Sequence, residues 1–348
     1  MEALTVPAFT LLQSALLDAL QRGVPLRRRP WDEIAADLHA DPAWVCRQID
    51  QWKQDGLLRE VSGIFSAAQM GYRTALVAVA SAPGRRDAAG EFAAGHPGVS
   101  HCYGRRHERY DLWFTLATSP HSRLGLERSA ELIARHTGSE GPMVLPTLKR
   151  YKLRVHLGPA SAAGTSAGNP QDTRNDPGDC EPVQPCDLPA IEALQQDLPL
   201  IEEPFALLAD RVAMTPNDLL AAAERFRRRG WLRRYAAGVS HRLAGARANV
   251  LAVWEVSDAE ADKAGEVFAA EPAVSHCYLR PAGPDWPYRL YTMVHAADPE
   301  EAGETIARMR AAADTGRHVL LATEREYAKR RVRLFTPAEA QWEDRWDR

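Results

Sequence analysis

The sequence lacks the features that define several large classes of protein. It contains no run of 18 apolar residues, the length that a transmembrane helix needs. The N-terminal segment has neither a basic leader nor a small-residue cleavage site, so we expect no signal peptide. Five cysteines at irregular spacing, without a CxxC pair, favour reduced thiols over a zinc site or a disulfide framework. These absences predict a cytoplasmic protein that does not contact a membrane.

An excess of charge of either sign is also missing. The chain has 43 Lys and Arg against 46 Asp and Glu, a formal net charge of -3. Proteins that bind nucleic acid usually carry a basic excess, so contact with DNA is disfavoured. A hydrophobic content of 45% in 348 residues is ordinary for a globular protein with two or three domains.

What the sequence does contain is an internal repeat. The heptapeptide VSHCYGR at Val99–Arg105 recurs as VSHCYLR at Val274–Arg280, an offset of 175 residues. The shared string combines His, Cys and Tyr, which makes a chance match a poor explanation. We infer that the chain consists of two copies of one unit, and internal duplication governs the rest of the interpretation.

Each copy begins with the pattern of a helix-turn-helix. In the first copy, Val45, Ile49 and Trp52 recur at helical spacing between Asp41, a predicted N-cap, and Gly56, a predicted helix stop. A wing strand and then a βαββαβ pattern follow, which is typical of a ferredoxin-like sheet with both helices on one face. The segment between the copies is rich in Gly, Pro, Ser and Asp and predicts a flexible linker. The predicted domains are winged helix-turn-helix 8–62 and 188–237, ferredoxin-like 63–157 and 238–336, and linker 158–187.

The repeated strand is the strongest candidate for a functional site. Side chains alternate across a strand, so His101, Tyr103 and Arg105 should share one face, with Ser100, Cys102 and Gly104 on the other. The second copy repeats the first set as His276, Tyr278 and Arg280. A single histidine on a strand is more often structural than functional, but its repetition beside the same Tyr and Arg favours function. We predict that both sets face a shared pocket.

More cations and aromatic side chains lie near these strands. Arginine forks match carboxylates in a bidentate way, and flat rings pack on flat ligands. The pattern predicts a cleft for a large, flat polyanion. For Arg28 and Arg29, a solvated run of charges is as good an explanation as ligand binding. For Trp113 and Trp286, packing in the core is the commoner role. The further candidates for binding are Arg28, Arg29, His107, Arg109, Trp113, Trp286, Tyr288 and His295.

Several strings together resemble one known family. These are the two HCYxR strands, WPYRLYTMVHA from Trp286, LPTLKRYK from Leu145 and LATEREYAKRR from Leu321. They are similar to the siroheme decarboxylases, which are related in fold to the Lrp/AsnC regulators. Most members consist of two homologous subunits, and this chain resembles the fused, NirDL-type form. The resemblance implies an α+β fold, a tandem duplication of a winged helix-turn-helix and a ferredoxin-like domain.

The resemblance also implies an activity and roles for the candidate residues. The expected reaction is that of a carboxy-lyase, which removes carbon dioxide from the C12 and C18 acetates of siroheme to give 12,18-didecarboxysiroheme for heme d1 or heme formation. His101 and His276 would donate protons, or one of them would be an axial ligand of the siroheme iron, while Tyr103 and Tyr278 assist. Arg105, Arg109 and Arg280 would hold carboxylates.

No added cofactor and no further metal site are expected, because siroheme itself is the substrate. The expected partners are siroheme and its products, with homologous subunits, other heme d1 pathway proteins or a second copy of the chain as further candidates.

The alternative is a transcription regulator of the Lrp/AsnC type, which could sense heme. Its DNA-reading helices would need basic side chains. The first helix-turn-helix, Asp32–Asp55, is acidic, which disfavours this alternative. The second, Ala206–Arg229, is more basic and leaves it open.

Overall fold

The computed structural model describes residues 9–153, 181–239, 248–283, 285–313 and 315–347. Within these ranges the chain forms two compact units, and each unit takes one part from each copy. We call them the helix-turn-helix unit (9–70 and 181–239) and the sheet unit (71–153 and 248–347). The predicted fold class, a duplicated α+β chain, is confirmed.

The first copy begins with three helices and a strand. Asp41 caps the third helix by accepting a hydrogen bond from the backbone N–H of Ala43 at 2.9 Å, and Gly56 follows the helix with φ of 72°. Both sequence predictions about this helix are therefore confirmed. The elements are α1 (Leu11–Arg22), α2 (Pro30–Asp37), α3 (Pro42–Gln54) and β1 (Leu58–Phe65).

The rest of the first copy follows the predicted βαββαβ order with one difference. The last strand, predicted as one segment from 143 to 155, is two strands separated by Thr147 and Leu148. The elements are β2 (Arg73–Val79), α4 (Arg86–Ala94), β3 (Val99–Arg105), β4 (Leu112–Thr118), α5 (Gly125–His136), β5 (Met143–Pro146) and β6 (Lys149–Leu153).

The second copy repeats this order and adds a helix at its end. Thr215 caps the third of its helices through the N–H of Asp218 at 3.1 Å, and Gly230 follows with φ of 73°. The predicted linker overlaps the described residues only at 181–187, which contain a short turn, Pro185–Asp187. The elements are α6 (Leu188–Leu194), α7 (Pro204–Asp210), α8 (Pro216–Arg228), β7 (Leu232–Val239), β8 (Ala248–Glu255), α9 (Ala261–Ala270), β9 (Val274–Leu279), β10 (Tyr288–Ala296), α10 (Pro299–Ala312), β11 (His318–Lys329) and α11 (Ala338–Trp346).

The helix-turn-helix unit joins the two copies through their wing strands. The sequence predicted one wing strand per copy, but β1 and β7 pair with each other as an antiparallel two-stranded sheet. Gly63 lies in this pair, where a Cβ would come within 2.8 Å of the Leu194 carbonyl oxygen. The absence of a side chain there lets α6 approach the strand.

The sheet unit joins the copies more closely. Its strand order is β5-β2-β4-β3-β11-β8-β10-β9-β6. The first part of β11, from His318, pairs with β8 of its own copy, and the second part, from Thr323, pairs with β3 of the first copy. In return β5 pairs with β2 of its own copy, whereas β6 pairs with β9 of the second copy. We call β6 and the second part of β11 the exchanged strands.

Each exchanged strand places a tyrosine against a glycine of the other copy. A Cβ on Gly90 of α4 would lie 2.5 Å from the Tyr327 ring, and a Cβ on Gly265 of α9 would lie 2.5 Å from the Tyr151 ring. The Tyr327 hydroxyl donates to Asp87 on α4 at 2.5 Å. The Tyr151 hydroxyl makes the matching bond to Asp262 on α9, also at 2.5 Å. The two contacts are equivalent under the repeat.

Three large apolar cores stabilise the described part of the sheet unit. Two of them lie between the sheet and its helices, one in each copy, and they contain Cys102 and Cys277 with no exposed surface. The predicted packing role of these thiols is confirmed. The third core lies on the opposite face and combines side chains of both copies, among them Trp113, Leu145 and Leu321. That face therefore has a shared interior.

The C-terminal helix α11, which the sequence did not predict, packs against the first copy. Its Glu343 is buried and accepts hydrogen bonds from the Ser122 hydroxyl at 2.5 Å and from the backbone N–H of Arg123 and Leu124 at 3.2 and 3.4 Å. These donors precede α5, whose own N-cap has no side-chain hydrogen bond. Glu343 thus fixes the loop that leads into α5 of the other copy and places a negative charge near the N-terminus of that helix. In the described ranges, no helix combines the length and apolar character required to cross a bilayer.

Candidate functional site

A β-bulge shapes each repeated HCY strand. In β3 the pairing with β4 shifts between Val99 and His101, which leaves Ser100 as the extra residue. The pairing of β9 with β10 makes the same shift at Ser275. A bulge turns neighbouring side chains toward one side, and each serine bonds the histidine that follows it. The prediction that Ser100 faces away from His101 is therefore wrong.

In the first copy the histidine belongs to a network of hydroxyl groups. The Ser100 hydroxyl lies 2.9 Å from Nδ1 of His101 and 2.6 Å from the Thr115 hydroxyl. The backbone N–H of His101 donates to the Thr115 hydroxyl at 3.2 Å. The Tyr103 ring centre lies 6.2 Å from the imidazole. The Ser100 hydroxyl, itself bonded to Thr115, thus fixes the imidazole of His101 through Nδ1.

In the second copy a further imidazole takes the place of the threonine hydroxyl. The Ser275 hydroxyl lies 2.6 Å from Nδ1 of His276 and 2.7 Å from Nε2 of His295. Burial, and then the charge of Lys329, lower the pKa of His295 below its ordinary value. The Tyr278 ring centre lies 6.0 Å from the His276 ring. The two copies thus hold equivalent histidines with different partners.

Both histidine–tyrosine pairs are half-buried on the sheet face opposite the helices. Tyr103 pairs with Trp113, which lies in the third core, so Tyr103 belongs to that face. Lys329 of the exchanged strand lies opposite His101, and its charge also acts on His295 of the second copy. Both copies therefore contribute to one region. Sequence reasoning missed Lys329, Thr115 and Arg150, since only the pairing of the strands brings the first two to His101 and the third to Tyr278.

The two motif arginines lie beneath this region and bind backbone. Nη1 of Arg105 donates to the Leu321 carbonyl at 2.8 Å, and Nη1 of Arg280 donates to the Leu145 carbonyl at 2.6 Å. Both side chains are almost fully buried, and burial lowers the pKa of Arg105 to about 10. Each arginine therefore binds the other copy just before its exchanged strand begins: Leu321 lies in the first part of β11, and Leu145 lies in β5, which precedes β6. Carboxylate binding by either one stays a prediction.

A cavity of about 640 Å³ opens beside the end of β3. Glu324 of the exchanged strand links two arginines across it, at 2.6 Å from Arg86 and 2.9 Å from Arg106. Ligand sites commonly have volumes of ~300–1,000 Å³. Three arginines balance three acidic side chains here, so the cavity carries little net charge as it stands. The lining residues are Arg86, Arg105, Arg106, His107, Glu108, Asp111, Val319 and Glu324.

His107 and Arg109 stabilise the loop at the mouth of this cavity. Nδ1 of His107 accepts the backbone N–H groups of Arg109 and Tyr110 at 3.2 and 3.0 Å, and burial lowers the pKa of His107. Arg109 forms ion pairs with Asp285 at 2.8 Å and with Glu140 at 3.4 Å. A substrate carboxylate at Arg109 would have to displace these two acids.

The predicted aromatic platform lies in the third core. Trp113 and Trp286 are only 1% and 2% exposed. Their indole N–H groups donate to the Tyr110 carbonyl and the Tyr291 hydroxyl, each at 2.8 Å. The partly buried Tyr288 packs on Trp286 with ring centres 4.8 Å apart. These indoles fill the interior rather than form the wall of an open cleft.

The two N-terminal arginines belong to the helix-turn-helix unit and have partners there. Arg28 donates to the Asn217 side chain at 3.0 Å, and Arg29 pairs with Asp32 at 2.9 Å and with Glu202. Their assignment to the substrate stays a prediction. Within the part of the chain that the structure describes, no group of three or more His, Cys, Asp or Glu side chains could hold a metal ion.

The chain matches two family models, each of them twice. The siroheme decarboxylase NirDL-like HTH domain matches residues 13–59 and 189–233, and the AsnC-like ligand binding domain matches 69–152 and 243–328. Both matches follow the repeat that the sequence predicted.

Similar proteins match almost the whole chain. A siroheme decarboxylase of Hydrogenobacter thermophilus is 30% identical over 94% of this chain and 96% of its own. A siroheme decarboxylase beta subunit of Methanosarcina barkeri is 34% identical over 42% of this chain and 97% of its own, which is the length of one copy. The crystal structure of the siroheme decarboxylase NirDL has a TM-score of 0.77 at 25% identity, and covers 97% of this chain and 98% of its own. A second structure of NirDL, in complex with an iron-uroporphyrin III analogue, gives the same values. The repeat, the fold and the similarity to these proteins agree. The chain belongs to the siroheme decarboxylase family.

Proposed function

We propose that the protein is an enzyme that removes carbon dioxide from the acetate side chains at C12 and C18 of siroheme. The single observation that carries this proposal is the pair of strands whose half-buried His and Tyr side chains two interlocked copies present on one sheet face. The likeness to siroheme decarboxylases along nearly the whole chain supports it. The product would be 12,18-didecarboxysiroheme, which supplies heme d1 or heme formation.

The reaction needs a proton donor more than it needs a nucleophile. A proton placed on the pyrrole ring carbon next to the one that bears the acetate gives a conjugated iminium, and this makes the macrocycle an electron sink. The bond to the carboxylate then breaks, carbon dioxide leaves, and the electron pair enters the ring. The exocyclic carbon takes up a proton while the ring carbon loses one, so each acetate consumes one proton and becomes a methyl group. A positioned general acid suits this chemistry, and it requires no further cofactor.

His101 and His276 are the proposed acids, with Tyr103 and Tyr278 as the groups that orient substrate or proton. The serine hydroxyl lies at Nδ1 of each histidine, and we assign the proton transfer to Nε2. Coordination of the siroheme iron by one of these rings remains the alternative role. Carboxylates that are not lost would be held by cations of the shared face, among them Lys329.

The test is turnover of siroheme by the purified chain without oxygen. We expect a product lighter by two carbon dioxide units, which mass spectrometry resolves. His101→Ala and His276→Ala, prepared separately, should each slow at least one of the two losses by about a hundredfold, as expected for removal of a general acid. His121→Ala, which alters an exposed histidine of the same unit, is the control. Unchanged siroheme with the intact protein would contradict the proposal.

A role as a DNA-binding regulator is less well supported. Two of the arginines that make the second helix-turn-helix basic are engaged with acids, since Arg225 pairs with Asp187 at 3.2 Å and Arg229 with Glu181 at 2.9 Å. In the first copy, Arg47 lies 4.0 Å from Asp41. A salt-sensitive gel shift on one specific operator would favour this alternative.

A further inference from the structure

The two copies differ in the second hydrogen-bond partner of the serine that precedes the motif histidine. In the first copy the Ser100 hydroxyl meets the Thr115 hydroxyl at 2.6 Å. In the second copy the Ser275 hydroxyl meets Nε2 of His295 at 2.7 Å, and the Met293 carbonyl at 3.4 Å is a weaker acceptor. Among the residues that the structure describes, the two copies therefore hold equivalent histidines, and the serine of the second copy links two imidazoles where that of the first copy links an imidazole and a hydroxyl.

The serine hydroxyl has a single proton to give. Placed between two ring nitrogens, it can donate to one ring and accept from the other, so the tautomers of His276 and His295 are coupled. Threonine in the first copy can reorient its own hydroxyl proton and imposes no such coupling on His101. Among the described residues, the charged and polar groups that face His295 include Lys329 on β11, Asn249 on β8 and the Ser275–His276 pair on β9.

We propose that Ser275 and His295 are positioning residues that make His276 the main proton donor, a proposal that rests on the proposed function. His276 transfers the proton of Nε2 to the ring carbon and keeps its proton on Nδ1. That N–H donates to the Ser275 oxygen, and the serine proton is donated to Nε2 of His295. Solvent restores the transferred proton. Every hydrogen bond of the chain is kept through the transfer, because only the Nε2 proton moves.

The kinetic test compares serine variants of the two copies. Ser275→Ala should lower kcat for siroheme by about tenfold and leave KM nearly unchanged, since it removes orientation rather than binding. Ser275→Thr retains the hydroxyl and should restore most of the activity. His295→Gln should follow Ser275→Ala, and Ser100→Ala should cost less than Ser275→Ala. Equal losses at Ser100 and Ser275, or a loss confined to KM, would overturn the proposal.

A second measurement does not depend on turnover. In the ¹⁵N-imidazole NMR spectrum of the full chain, Ser275→Ala should shift the ring nitrogens of both His276 and His295 and leave those of His101 in place. If His295 does not respond, the coupling is absent and the proposal fails. If the intact chain leaves siroheme unchanged while the NMR coupling is present, the function has failed and the positioning network stands.

Discussion

His96 shows how a single buried residue ties stability to pH. Its ring has no exposed surface, its Nδ1 accepts the Gly98 N–H at 3.0 Å, and its centre lies 4.3 Å from Trp342. Burial lowers the pKa of His96 to about 4, with Arg330 adding to the effect and Glu343 opposing it. An unfolded histidine titrates near ~6.5. The unfolded chain therefore binds a proton between these pH values that the folded chain does not.

The free energy of unfolding should fall as pH drops from about 6.5 to about 4, by up to about 3 kcal/mol from this residue. Above this window the contribution is constant. His96→Gln should flatten the dependence while lowering stability at pH 7.5, because the packing on Trp342 is lost. Urea unfolding across pH measures both effects, and His121→Gln is the exposed control. A pH dependence equal to wild type in His96→Gln would contradict the assignment.

Sequence reasoning at the residue scale succeeded where strand alternation held. It placed Cys102 and Cys277 in the helix-side cores, where the structure has them. It failed at Ser100, because a bulge inserts one residue and a single sequence carries no mark of a bulge. The hydrogen bond of Arg105 to the Leu321 carbonyl of the other copy was not predicted either, because spacing does not reveal how the copies pair, and substrate binding by Arg105 stays a prediction.

At the scale of elements, the contact of tyrosine with glycine determines how each exchanged strand sits on the other copy. Gly90 and Gly265 lie in helices, where alanine would normally be preferred. At both positions a Cβ would collide with a tyrosine ring at 2.5 Å. The missing side chain is what lets the ring lie flat on the helix while its hydroxyl reaches an aspartate.

We expect Gly90→Ala and Gly265→Ala each to destabilise the sheet unit by about 2 kcal/mol through overpacking. Gly303→Ala in α10 is the matched control, because a Cβ there meets nothing within 4 Å and should stabilise by up to about 1 kcal/mol through helix propensity. Adding Tyr327→Ala to Gly90→Ala should cost less than the sum of the two changes. Additive losses, measured by denaturant unfolding, would show that glycine and ring do not interact.

The strand exchange itself lay beyond prediction. The segment from 143 to 155 has the pattern of one strand, and a local pattern does not say which strand it pairs with. The change of partner strand occurs at Thr147 and Leu148. Before them β5 pairs with β2, and after them β6 pairs with β9. Since the partner strand is far away in sequence, only the folded chain shows that the copies trade their last strands. The βαββαβ order was predictable because each of its elements has a local pattern.

On the scale of the whole molecule, duplication and strand exchange make the two repeat copies interdependent within the sheet unit. Each copy's part of the nine-stranded sheet includes a strand from the other copy, and the third core takes side chains from both. Neither ferredoxin-like half has a complete sheet without its partner. This reciprocity also explains how the two histidine strands, 175 residues apart in sequence, reach one region of the surface.

The parts of the sheet unit that come from the first and second copies should therefore unfold together. Gly90→Ala disturbs a helix of the first copy, yet it should speed exchange of the slowest amides equally in β2 of the first copy and β8 of the second. Gly265→Ala should give the same pattern from the other side. Hydrogen exchange with mass spectrometry resolves both strands, and Gly303→Ala should slow exchange in both. Faster exchange restricted to the mutated copy would mean that the copies unfold separately despite the shared strands.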